Sequence, residues 1–144
     1  MPVTSSWVDT GAYPYLPPGL WRLDPTTLDT TLIASGGLLV QPRHIAVDRA
    51  GTIYVTDSRT GVVSIDPATG GQSLFLSLGI GGGNAAGICL ADDSTLIVAT
   101  TGSNTGVVLS VILRTHEVSV LSQGGLLENP ECVAVGPARR AVRR

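Results

Sequence analysis

The sequence predicts an all-β chain: a β-propeller segment of about three four-stranded antiparallel blades, forming an open arc or half of a six-bladed ring. Three observations predict it. First, the block from His44 to Gly79 returns in altered form from Gly87 to Gly125. Ile45-Ala46-Val47-Asp48 corresponds to Ile88-Cys89-Leu90-Ala91 and then to Val133-Ala134-Val135-Gly136, and Gly61-Val62-Val63 to Gly106-Val107-Val108. Second, the period is about 43 to 45 residues, the spacing of propeller blades. Third, the 18 glycines and 4% aromatic content suit short strands joined by tight turns, and they argue against helices.

The chain divides into a partial blade over 1–40, whole blades over 43–78 and 85–124, a first strand of a further blade over 131–136, and a basic tail over 137–144. In the partial blade, Leu20 to Asp24 matches a third strand and Thr30 to Ser35 an outer strand. Trp7-Val8-Asp9-Thr10 resembles Tyr54-Val55-Thr56-Asp57 and is read as the matching second strand. Ala12 to Gly19 then becomes a proline-stiffened loop.

The first whole blade is the clearest. Arg43 to Asp48 alternates apolar and polar residues, as a half-buried strand does. Gly51 supplies the positive φ of the next turn. Thr52 to Thr56 and Val62 to Ile65 are β-branched strands. Leu23-Asp24-Pro25 prefigures Ile65-Asp66-Pro67, a turn in which Pro presets φ and Asp bonds nearby N–H groups. Gln72 to Ser77 is the outer strand. The second whole blade follows with Ile88 to Leu90, Leu96 to Thr100, Val107 to Leu113 and Glu117 to Leu121. Gly79 to Gly83 and Gln123 to Asn129 are read as the crossings between blades.

Composition excludes several functions. The longest apolar run, Val107 to Leu113, is interrupted by Ser110 and falls far short of the roughly 18–20 residues of a membrane helix. The N-terminus shows no basic-then-apolar leader, so the expected location is the cytoplasm, or outside the cell for a piece of a longer secreted protein. Lysine is absent, and Arg139, Arg140, Arg143 and Arg144 crowd the last six residues. The remaining body is acidic and lacks the basic–aromatic interleaving of nucleic-acid readers. Gly79 to Gly83 is followed by neither Lys-Ser/Thr nor a helix, so it is no phosphate loop. Cys89 and Cys132 fall in equivalent first strands, offset by two positions. Both a disulfide and small buried thiols fit them.

From Pro42 to Pro67, the run P-R-H-I-A-V-D-R-A-G-T-I-Y-V-T-D-S…V-V-S-I-D-P resembles an NHL repeat. Asn84 to Thr101 resembles a degenerate copy and Asn129 to Gly136 the start of another. The resemblance implies a propeller, commonly of six blades. Similar propellers bind proteins or RNA, or act as gluconolactonase-type lactonases or as lyases.

The lactonase option implies a divalent cation held in the channel by carboxylate and amide ligands, in Pro-Asn-Gly and Tyr-Val-x-Asp contexts. Asp57 stands in the second context. Asn84 approximates the first, but reads Asn-Ala-Ala-Gly, and its repeat carries Thr100 where Asp57 would recur. The alternative role for Asp57 is to bond its own Ser58 to Gly61 turn. His44 begins a first strand, and Glu131 lies at the corresponding place in a later blade, where the two could meet at the channel mouth. His44, Asp57, Asn84 and Glu131 are therefore the channel-face candidates, with no catalytic, cofactor or metal role assigned to any. The resulting expectation is a binding or scaffolding module without a cofactor, contacting a protein or small-molecule ligand at a propeller face, with neither nucleic acid nor membrane as partner. A lactonase- or lyase-like enzyme is the alternative. A homodimer closing a six-bladed ring would complete the unfinished blades at both ends.

Overall fold

Short apolar, β-branched runs, alternating in strands with one covered face and continuous in those covered on both, commit these segments to strands, and tight turns between them favour antiparallel order. The computed structural model describes residues 3–4, 17–77, 83–102 and 105–137. Among these, the chain is all-β. The strands are β1 (Val3–Thr4), β2 (Gly19–Leu23), β3 (Thr30–Ser35), β4 (Pro42–Val47), β5 (Ile53–Asp57), β6 (Gly61–Ile65), β7 (Gln72–Ser77), β8 (Asn84–Asp92), β9 (Thr95–Thr101), β10 (Val107–Ile112) and β11 (Val118–Gln123). They form three antiparallel sheets, ordered β1-β2-β3, β4-β5-β6-β7 and β8-β9-β10-β11.

The sheets repeat in register. Ile45 pairs with Val55, and Ile88 with Val98, so the two isoleucines occupy equivalent ladder positions. In the third strand the structure corrects the sequence alignment. Val55 pairs with Val63, but Val98 pairs with Leu109, which equates Val63 with Leu109 rather than with Val108. The cause is loop length: Asp57 pairs with Gly61, whereas its equivalent Thr100 pairs with Val107. Gly106 lies in that longer loop and only resembles Gly61. A register shift recurs at one equivalent point in all three sheets, at Leu20/Trp21, Val62/Val63 and Val108/Leu109.

Packing follows from alternation. Leu20, Ala34, Leu39, Ile53, Val55, Val63 and Ile65 form a core between the first and second sheets. On the opposite face of the second sheet, Tyr54, Val62, Phe75 and Leu76 pack with Ile88, Leu96, Val98 and Val111 of the third. The middle sheet is covered on both sides, which is why every residue of β5 is buried.

The turns after the third strands are built alike. Asp24 Oδ1 accepts from the N–H groups of Thr26 and Thr27, and Asp66 Oδ1 from that of Ala68. The equivalent left-handed positions are Leu28 at φ 63°, Gly70 at φ 72° and His116 at φ 60°.

Three expectations meet a different outcome or none. Residues 131–137 carry no strand, because the described residues provide no second strand for them to pair with. The partner of β2 is Val3–Thr4. The proposed strand Trp7 to Thr10 lies outside the described residues, as do the arginines from Arg139 onward and most of the crossing after Gly79.

Candidate functional site at the ends of the first strands

The first strands β4 and β8 lie side by side, and residues 131–135 continue the series. All four channel-face candidates gather at one end of this series. His44 and Asn84 stand near the starts of β4 and β8, Asp57 at the end of β5, and Glu131 before the unpaired segment.

Asp57 is fully buried. Its Oδ2 accepts from the N–H groups of Val40 (2.8 Å) and Gln41 (2.7 Å), in the crossing that precedes β4. Its Oδ1 accepts from those of Arg59 (2.9 Å) and Thr60 (3.0 Å), in the turn that follows β5. A carboxylate offers about four lone-pair sites, so this one is saturated by backbone donors. The Thr60 hydroxyl donates to Leu38 O at 2.7 Å, and Gln72 bridges Leu38 N and Gly36 O, which fixes the same crossing from other sides. Thr100, the Asp57 equivalent, reaches only Val107 O.

His44 does not meet Glu131. Its Nδ1 lies 3.0 Å from Ala86 O, and since a carbonyl only accepts, Nδ1 carries the hydrogen of this contact. The Thr56 hydroxyl donates to the same carbonyl, tying the second sheet to the third. Glu131 is instead paired with Arg43, 88 positions away. Sequence reasoning passed over Arg43. The available signal was that Arg43 and Glu131 each follow a proline, Pro42 and Pro130, at the same step of the repeat. Asn84 is exposed and takes a ladder position opposite Thr101, apart from Asp57. Among the described residues, no three His, Cys, Asp or Glu side chains converge to hold a metal ion.

Cys89 and Cys132 are both free, the first half-buried and the second exposed. The Cys89 thiol is pushed above its usual range by burial and then by the nearby Cys132, against a lowering hydrogen bond from the Val135 backbone. These contacts hold residues 131–135 against β8.

Repeated antiparallel sheets stacked through shared cores, with first strands side by side, define a segment of a β-propeller. Comparison with solved structures agrees. A chain from a nidogen–laminin complex is similar at a TM-score of 0.70 and 21% identity over 80% of this chain. Luciferin-regenerating enzyme is similar at a TM-score of 0.66 and 17% identity over 90% of it. This chain spans only 43% and 44% of their respective lengths. No protein-family model matches the chain, nor does any curated protein sequence.

Proposed function

We propose that the chain is an NHL-like propeller module that binds a partner, in the first place a protein, at the channel end where Arg43, His44, Asn84 and Glu131 gather. The observation that carries this reading is the saturation of Asp57. A catalytic cation at this end needs several oxygen ligands with free lone pairs, and the only buried carboxylate among the described residues is spent on four backbone N–H groups. What stays accessible is a polar surface of mixed charge: Glu131 and Asn84 are exposed, and Arg43 is partly so.

The lactonase- or lyase-like alternative is separated by a direct assay. The purified chain, supplied in turn with Ca²⁺, Mg²⁺ and Zn²⁺, should hydrolyse no aldonolactone above the buffer rate. Metal-dependent turnover that disappears in Asp57→Ala would overturn the binding reading. In the positive arm, a photo-cross-linking residue at Asn84 should capture a defined protein from the source cells, while one at Asp66, at the far end of the blade, should not. Equal capture at both positions would remove the assignment of the face.

A further inference from the structure

The two ends of the described arc are complementary. The first sheet has three strands, and its members match the second, third and fourth strands of the sheet beside it. The shared register shift equates Trp21 with Val63, so Thr4, paired with Trp21, takes the place of Val55, and Val3 that of Tyr54. Among the described residues no strand takes the place of β4, and nothing pairs with the outer edge of β1.

At the other end, residues 131–135 follow a crossing built like the one that leads into β4. Gly36-Gly37-Leu38-Leu39 and Gly124-Gly125-Leu126-Leu127 share sequence. They also share backbone conformation, with φ 62° and 59° in the first and 70° and 61° in the second. Hydrogen bonds repeat too: Gly36 N donates to Pro18 O and Leu39 N to Gly36 O, while Gly124 N donates to Gly106 O and Leu127 N to Gly124 O. The chain leaving Gly124 is therefore aimed as the chain entering β4 is. Its apolar residues are nevertheless less covered. Leu38 is half-buried where its counterpart Leu126 is fully exposed, and Leu39 is 2% exposed where its counterpart Leu127 is only half-buried, while Val135 is 52% exposed.

We propose that a second copy of this chain covers this face, with residues 131–135 of each copy added as the missing strand of the other copy's first sheet. Repeat equivalence sets the register. Ile45 pairs with Val55 and Ala46 with Tyr54, so Val133 should pair with Thr4 of the second copy and Ala134 with its Val3. Addition of a strand satisfies open backbone groups on both sides. The same operation applied at both ends closes the pair into a two-fold ring. The proposal does not rest on what the channel end binds.

The test uses the unmodified 144-residue chain first. Sedimentation equilibrium should give twice the 14.8 kDa chain mass. A folded species of single chain mass would overturn the proposal and leave the face to another occupant, such as further blades of a longer chain. Thr4→Cys with Val133→Cys, in a Cys89→Ser, Cys132→Ser background, should oxidise to a closed two-chain product. A ladder of longer products would mean an open filament and would equally refute ring closure. Removal of residues 131–144 should give single chain mass, and a dimer that survives it would place the interface elsewhere. Because the first reading uses the native chain, poor folding of a variant cannot rescue the idea.

Discussion

Gly87 faces the backbone of Cys132 so closely that a Cβ there would lie 2.8 Å from the Cys132 Cα and 2.9 Å from Val133 N. Backbone cannot yield as a side-chain tip does, so glycine is required for this approach. Gly87→Ala should push residues 131–135 off β8 and cost about 1–3 kcal/mol. Cys89, now shielded by that segment, should react several-fold faster with a thiol reagent. An unchanged labelling rate would show that the segment does not depend on Gly87.

Asp57→Ala should destabilise the protein by about 1–3 kcal/mol, since it removes the acceptor of four part-buried backbone N–H groups. Urea denaturation reads the loss. In the native protein, millimolar Ca²⁺ or Zn²⁺ should leave Tm unchanged, because the Asp57 lone pairs are already engaged. A rise in Tm with either cation that vanishes in the variant would contradict this.

Leu28 and His116 hold a left-handed conformation that Gly70 adopts freely. For a branched side chain this costs on the order of 1 kcal/mol. Leu28 is 70% exposed and has little packing to lose, so Leu28→Asn should stabilise the protein by up to about 1 kcal/mol. His116→Asn should gain less, because the imidazole packs on Phe75 with ring centroids 4.4 Å apart. Paired urea midpoints test the ordering, and a larger gain at His116 would reverse it.

Tyr54 links the core to pH. Its hydroxyl donates to Asp48 Oδ2 at 3.2 Å, and its ring meets Phe75 edge-on. Burial first, and then the Asp48 charge and hydrogen bond, push its pKa from 10.0 up to about 12. The folded state thus holds the phenol proton more tightly than the unfolded chain does. The stability this provides is complete below pH 10 and is lost as pH rises toward 12. Tyr54→Phe should be less stable at neutral pH but should lose less of its stability across that window. Parallel alkaline losses in both proteins would assign the effect to another group.

Much of the fold was legible because strands announce themselves by alternation and turns by their chemistry. Ile45 and Ile88 align on sight, and the Asp24 and Asp66 turns share both sequence and hydrogen bonds. The third-strand register was not legible, because Gly106 looks like Gly61 and only the ladder reveals a longer loop. At the site, the Asp57 turn could be read locally, but its bonds to Val40 and Gln41 reach back 17 and 16 residues. The Arg43–Glu131 pair was hidden for the same reason: two charges meet there only once β4, β8 and the segment 131–135 lie side by side. The segment 131–135 read as a strand because its sequence is one. Pairing, which makes a strand, needs a neighbour that a linear reading cannot supply.

The matched crossings at Gly36 and Gly124 make the intervening stretch, residues 36–123, an interchangeable cassette. Its upstream splice follows Ser35 and its downstream splice follows Gln123, and each delivers the chain into the same pair of left-handed glycines. A gene in which this stretch is duplicated in frame would create no junction that the protein does not already make. Such a duplication would lengthen the arc by one whole pair of blades with no new loop.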